Sequence, residues 1–253
     1  MSELTHVLHA VRFLTIVPVP DAEHLAPDWL PRSAKYFPLV GLLVGLLSAA
    51  VLALASQLWT GVVPALLAVT ASVLVTGAFH EDGLADSADS LGGRTPEARL
   101  AIMRDSRIGS YGTLALGLSV ALRTAALSIA PLPIAVASLI AAHAGGRLAG
   151  VLTMARLPYA ADPAAVKILH SAEPFRRNEQ AIGCAFALIA FVPLCLMAWP
   201  AALCGAAVGA GLALATAWLA ARLIRGYTGD VLGAIEQLVE VAVLLAAAAA
   251  ASR

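Results

Sequence analysis

The sequence predicts an all-α fold: a multi-pass membrane helix bundle of about seven transmembrane helices, preceded by a short interfacial helix. Three observations carry this. Of the 253 residues, 60% are apolar and 13% charged, against about 45–50% and about 25% in a soluble domain, and mean hydropathy is +0.85. A globule this size would lack the polar groups to coat itself, which excludes a water-soluble enzyme, a disordered chain or a disulfide scaffold. The apolar residues gather into runs approaching the roughly 20 needed to cross hydrocarbon. The polar segments between them alternate long and short, as the two faces of a threaded chain would.

In order, residues 1–36 form an interfacial N-terminal segment. Glu3, His6, His9 and Arg12 interrupt any apolar core, so a cleavable signal peptide is not expected. His6, Leu8, Val11, Phe13, Leu14 and Ile16 suggest a short helix at the interface, ended by Pro18 and Pro20, with Pro27, Pro31 and Pro38 in the approach to the first span. The expected spans are 37–58, 62–79, 111–130, 132–155, 180–199, 201–224 and 231–250. Cys184, Cys195 and Cys204 all fall in apolar runs with no C-x-x-C spacing, and read as small hydrophobes rather than ligands. The chain reads as a single integral-membrane domain, 1–253.

The long polar segments, 1–36, 80–110, 156–179 and 225–230, lie on one side if there are seven spans. The other side has only Trp59-Thr60-Gly61, Ala130-Pro131-Leu132-Pro133 and Trp199-Pro200. Of the 16 basic residues, only Arg123, Arg147 and Arg253 lie away from the polar side, so the positive-inside rule makes that side cytoplasmic. Net charge is zero and no basic footprint for nucleic acid is present.

The densest chemistry is in 80–110, read as an acidic and arginine-rich active-site loop with a helical stripe. Asp82, Asp86 and Asp89 are spaced i, i+4, i+7 and would share a helix face. Like charges at that spacing repel, and a divalent cation such as Mg²⁺ would relieve them. A solvated acidic turn is the plainer alternative. His80 is a base, a ligand or an interfacial histidine. Arg104 and Arg107 offer planar forks suited to phosphate, beside Asp105 and the glycines Gly109 and Gly112; the same arginines would also serve as topology anchors.

A second constellation opens the last span, where Asp230, Gly233, Gln237 and Glu240 lie near one stripe with Glu236 beside it. Carboxylates inside an apolar helix normally face a cavity or a partner. Arg123 and Arg147 are the obvious partners, or bind substrate phosphate, and His143 shares the face of Arg147. Lys167, His170, Arg176 and Arg177 make 156–179 a lid or simply a solvated basic loop. No P-loop, G-x-G-x-x-G, H-E-x-x-H or G-x-S-x-G occurs.

These residues resemble the cobalamin (5′-phosphate) synthase family, the adenosylcobinamide-GDP ribazoletransferases. The resemblance runs from Phe13–Pro20 and Phe37–Gly41 through His80–Asp89 and Ile102–Gly109 to Thr228–Ala234. Departures are Glu81, where the family usually has an apolar residue; Ser90, where it often has glycine; and Gly226-Tyr227, where Gly-Gly commonly precedes Thr-Gly-Asp.

The resemblance implies a multi-pass inner-membrane transferase of cobalamin biosynthesis. Its substrates would be adenosylcobinamide-GDP and α-ribazole or its 5′-phosphate, with GMP released and Mg²⁺ required. The bottom-up residues fit that chemistry, and the expected roles are as follows. His80, Asp82, Asp105 and Asp230 are catalytic. Arg104, Arg107, Gly109, Arg147 and Gly229 hold substrate phosphate. Asp82, Asp86, Asp89, Glu236 and Glu240 hold metal. The lipid bilayer is a partner, nucleic acid is not, and a homo-oligomer is compatible with the sequence. Two rivals remain: a membrane phosphotransferase of the CDP-alcohol type, similar by analogy but with different aspartate spacing, and a transporter.

Overall fold

The computed structural model describes residues 2–20, 28–160 and 175–251. Its helices are α1 (Glu3–Leu14), α2 (Trp29–Ala34), α3 (Phe37–Ala55), α4 (Val62–Thr76), α5 (Phe79–Ser90), α6 (Pro96–Met103), α7 (Ser110–Ile129), α8 (Leu132–Met154), α9 (Arg177–Ile224) and α10 (Gly229–Ala251). The all-α multi-pass bundle read from the sequence is what the chain forms. Five helices are long and apolar enough to cross a membrane, and six if α4 and α5 count as one broken span.

The long helix α9 accounts for the remaining difference from seven. Its 48 residues would extend about 72 Å, more than twice the roughly 30 Å of hydrocarbon. It is broken at Ala198, whose backbone (φ −153°, ψ 64°) is not helical. Pro200 lies two residues on and withholds an N–H from the helical ladder. The two expected spans 180–199 and 201–224 are the two sides of this break. The cysteines sit on α9, unpaired: Cys184 is half-buried, and Cys195 and Cys204 are exposed.

The segment 80–110 departs from its expected form. It is not a loop but mostly helix, and α5 belongs to the bundle. Gly77 (φ 64°) and Ala78 (φ 59°) both adopt left-handed backbone, which turns the chain by 90° between α4 and α5. For Gly77 this conformation is ordinary; for Ala78 it carries a steric cost. The turn drives the N-terminal end of α5 inward, burying His80 and Glu81, and leaves its acidic C-terminal half at the bundle's end.

Close helix packing relies on small residues. A Cβ at Gly45 would lie 2.7 Å from Ile140 Cα, and one at Gly205 2.9 Å from Val243 Cα. Where lipid removes most of the hydrophobic drive between helices, such close backbone approach is the main source of cohesion. The N-terminal helix does more than lie at an interface. Phe13 stacks on Phe37 at 5.5 Å and meets Trp29 edge-on at 5.6 Å. The Ile16 amide donates to the Val75 carbonyl, and Lys35 and Tyr36 both bind the Glu3 carboxylate. Arg32 forms a buried pair with Glu179 at 2.9 Å, tying α2 to the start of α9.

Candidate active site

Helices α5 and α10 run antiparallel and touch backbone to backbone. A Cβ at Gly83 would lie 2.9 Å from Asp230 Cα, and one at Gly233 3.0 Å from the His80 carbonyl oxygen. A side chain at Gly83 would force the backbones to shift, and one at Gly233 would need its neighbours to give by a few tenths of an ångström. This contact joins the two sequence constellations, setting Asp82 and Asp86 beside Asp230 at the end of the bundle. Asp86 lies within Coulombic range of Asp82, Asp230 and Asp89, and Asp230 within that of Asp82. Asp82 is exposed, and Asp86 and Asp230 are half-buried. No described cation pairs with any of the three. Asp230 accepts one hydrogen bond from the Thr228 hydroxyl at 3.2 Å.

Asp89 has a different task from the one expected. Its two carboxylate oxygens accept the Gly109 amide at 2.6 Å and the Gly112 amide at 2.9 Å. It therefore caps α7, whose first amides have no intrahelical partners. Asp89, expected as a metal ligand, thus accepts backbone amides here, and the Gly109 amide, expected at substrate phosphate, is one of them.

Deeper in the bundle lies a closed ionic network. Arg147 meets Glu236 at 2.5 Å, Glu236 meets His80 Nε2 at 2.6 Å, and His143 Nδ1 meets Glu240 at 2.5 Å. Arg123 bridges Glu81 at 3.0 Å and Glu240 at 3.2 Å. Gln237 donates to Glu81 at 3.1 Å and accepts from the Ser119 hydroxyl at 2.9 Å. All of these residues are buried. Donor atoms of His143, Glu236 and Glu240 lie within 4.8 Å of one another, close enough for a metal. Two guanidiniums already supply the positive charge there. Glu236 and Glu240, expected as metal ligands, here pair with Arg147 and Arg123, and with His143 they stand close enough together to hold a metal. Arg147, expected to hold substrate phosphate, is only 2% exposed and pairs with Glu236 in this network. Burying these charges is tolerable only because each is paired with an opposite charge. Sequence reasoning passed over Glu81 as a mere departure, and its sole signal was a carboxylate beside an apolar stretch.

At the bundle's end, the Thr228 hydroxyl accepts the Val231 amide at 3.3 Å and caps α10. Ahead of it, Tyr227 and Tyr159 pair as a short parallel bridge, with rings 5.4 Å apart. The Tyr227 amide donates to Pro158 at 2.9 Å, and Gly226 presses so closely on that carbonyl that a side chain would not fit. Burial pushes the Tyr227 hydroxyl up to about 12. Burial also raises Tyr159, with Asp230 adding to the effect and Arg104 opposing it. Tyr159 thus lies within reach of both Asp230 and Arg104, and Arg104 is exposed. Gly229 is exposed, with nothing within 4 Å of where its Cβ would be.

Asp105 and Arg107 do not join the acidic cluster. They bind each other, Arg107 Nη2 to Asp105 Oδ2 at 2.6 Å and Nε to both oxygens at 3.0 and 3.1 Å. The Arg107 guanidinium and amide pull the Asp105 carboxyl down to about 2. Such a carboxylate is a poor proton acceptor at neutral pH, and the fork of Arg107 is already filled. The expected catalytic Asp105 and phosphate-holding Arg107 thus stand as an exposed ion pair apart from the acidic cluster. Of the middle loop, Lys167 and His170 lie outside the described residues. The Arg176 amide donates to Glu179 in a capping box that starts α9, and Arg177 is exposed.

Asp82, Asp86 and Asp230 thus offer three hard oxygen donors with mutual repulsion and no cation of their own. Carboxylates are the donor type that Mg²⁺ takes, few at a time, with water and phosphate completing its shell; among the described residues the donor atoms that lie within 4.8 Å of one another are those of His143, Glu236 and Glu240.

A family model described as Cobalamin-5-phosphate synthase matches residues 6–248. A relative from Leptothrix cholodnii, named adenosylcobinamide-GDP ribazoletransferase, is 41% identical over 93% of this chain and 92% of its own. Relatives of the same name from Bradyrhizobium diazoefficiens and Shewanella frigidimarina are 43% and 39% identical, each over 95% of this chain and over 92% and 93% of their own. No solved structure matches the chain. With the match running across nearly the whole sequence and through both constellations, the chain belongs to the cobalamin-5-phosphate synthase family.

Proposed function

We propose that the chain is an adenosylcobinamide-GDP ribazoletransferase, a Mg²⁺-dependent phosphotransferase. It moves the adenosylcobinamide phosphoryl group from adenosylcobinamide-GDP to α-ribazole or its 5′-phosphate. The observation that carries this is the packing of Gly83 against the Asp230 backbone, which brings Asp82 and Asp86 within Coulombic range of Asp230. The names of the relatives above support the choice of substrates.

In the transfer, the acceptor hydroxyl oxygen forms a bond to the phosphorus that carries the cobinamide. The P–O bond to GMP breaks, GMP leaves, and the hydroxyl proton passes to a base at the site. Asp82, Asp86 and Asp230 would hold Mg²⁺, which would neutralise charge on the pyrophosphate oxygens. Arg104 and the open N-terminus of α10 at Gly229 hold phosphate from the protein side. Asp230 stays oriented by Thr228. Buried below, Glu236 fixes the His80 ring. The apolar helices hold this assembly in the inner membrane with the acidic end toward the cytoplasm, as the distribution of arginines and lysines argues.

Among the described residues no structural feature favours transport. Arg123 and Arg147, the intramembrane cations that suggested it, are paired with buried carboxylates. The experiment that tests the proposal is product identity. Purified protein given adenosylcobinamide-GDP and α-ribazole with Mg²⁺ should release GMP, and chelation should stop it. Release of CMP from a CDP-alcohol, or no nucleotide at all, would contradict the assignment.

A further inference from the structure

Between α8, α9 and α10 lies an open groove of about 480 Å³, lined without a single charged side chain. The break at Ala198 lets both halves of α9 contribute: Phe191 and Cys195 before it, Ala206 and Ala210 after it. Leu148 and Leu152 of α8 form the facing wall. All three helices are long and apolar enough to cross a membrane, so the groove lies at hydrocarbon depth. Basic residues stand at one end of it. Gly183 on α9 is level with Leu148 on α8, since a Cβ there would lie 3.8 Å from Leu148 Cδ1. From that level Arg156 is eight residues on along α8 and its closing turn, and Arg177 is six residues back along α9. Both therefore emerge at the same end, about 12 Å and about 9 Å away. The Arg156 guanidinium donates to the Leu152 carbonyl at 2.8 Å, which holds it at the rim of the groove. Arg177 shares one helix stripe with Cys184, Leu188 and Cys195, which line the groove. Both arginines are exposed, and among the described residues neither meets a carboxylate.

We propose that this groove binds an anionic phospholipid, with an acyl chain along the α8–α9 seam and the headgroup phosphate between Arg156 and Arg177. The inference stands apart from the transferase reading and concerns a different face of the bundle. Length supports it: Cys184 to Cys195 rises about 16 Å, close to the roughly 15 Å of hydrocarbon in one leaflet. Charge supports it too. Planar guanidinium forks suit phosphate oxygens, and basic residues beside a span draw anionic headgroups. A helix from a second copy would fill the apolar walls and leave both arginines without a counter-charge. Free phosphate would meet the arginines and leave the walls uncovered. A phospholipid satisfies the two ends together.

The test titrates the full chain, in neutral detergent, with dioleoyl phosphatidylglycerol or dioleoyl phosphatidylcholine, and counts tightly held lipid by native mass spectrometry. The wild type should retain one phosphatidylglycerol in preference to phosphatidylcholine. The double variant Arg156→Gln, Arg177→Gln should bind phosphatidylglycerol about 30-fold more weakly, the scale of two arginines beside an anionic headgroup, and lose the preference. Ala206→Phe fills the groove with the arginines intact and should weaken binding of phosphatidylglycerol at least about tenfold. If Ala206→Phe fails to fold, Ala210→Leu takes its place. Unchanged phosphatidylglycerol binding in either folded variant would overturn the site, as would equal retention of the two lipids by the wild type. A wild-type dimer that Ala206→Phe dissociates would put a second copy in the groove and overturn it as well. None of these readouts involves GMP release, so failure here leaves the transferase reading standing.

Discussion

Gly83 on α5 rests directly against Asp230 on α10, with room for a Cβ only 2.9 Å from the Asp230 Cα. The two residues are 147 positions apart in sequence, yet their contact sets the spacing between the two halves of the acidic site. Real Cβ atoms do not approach that closely, and the obstacle is backbone, so any side chain at 83 must push α5 away from α10.

Gly83→Ala should therefore separate Asp82 and Asp86 from Asp230. A misplacement of about 1 Å in a reacting constellation costs on the order of 100-fold in rate, so kcat/KM for GMP release should fall by about that factor. Gly117→Ala is the matched control, since nothing lies within 4 Å of that position, and its rate should stay at the wild-type level. Equal activity in both variants would show that the α5–α10 contact does not set the site.

The buried network calls for a different signature. Glu240→Gln leaves Arg123 with Glu81 as its remaining carboxylate and His143 without its own. Breaking one member of a buried pair costs about 3–5 kcal/mol. Thermal unfolding in detergent should shift down accordingly, while the protein that remains folded keeps most of its turnover. A collapse in rate with unchanged stability would instead place Glu240 in the chemistry.

Asp105 supplies a prediction about pH. Its carboxyl is held at about 2 by Arg107. With the folded value below the unfolded one, its contribution is fully present above about pH 4 and is lost only as pH falls through about 2. Nothing on Asp105 titrates near neutrality. The pH–rate profile of Asp105→Asn between about pH 5 and 9 should keep the wild-type shape, whatever happens to its height. A limb that disappears in this variant would restore Asp105 as a base.

The spans were legible because length and apolarity are local properties: α3, α7, α8 and α10 lie within a few residues of where the apolar runs placed them. The break in α9 was signalled by Trp199-Pro200. The bend before α5 was not, because Gly77 is permissive without being directive, and nothing in an alanine at 78 announces a left-handed backbone. The Asp82–Asp86–Asp89 stripe was visible from spacing, but the fate of Asp89 depended on amides 20 and 23 residues away. In the same way, Glu236 and Glu240 were recognisably functional or paired, and only tertiary packing could choose. The arginines that settle it, Arg123 and Arg147, come from two other helices.

The central claim is that Asp82, Asp86 and Asp230 form one divalent-cation site while Asp89 is a helix cap. The most direct measurement is the Mg²⁺ dependence of GMP release in Asp82→Asn, Asp86→Asn, Asp230→Asn and Asp89→Asn, each confirmed folded. The first three should lose nearly all turnover or need far more Mg²⁺. Asp89→Asn should lower stability by about 0.5–2 kcal/mol, as a weakened cap does, with the Mg²⁺ concentration for half-maximal rate unchanged. Near wild-type turnover and Mg²⁺ dependence in the first three variants, or a Mg²⁺ requirement shifted only in Asp89→Asn, would contradict the account.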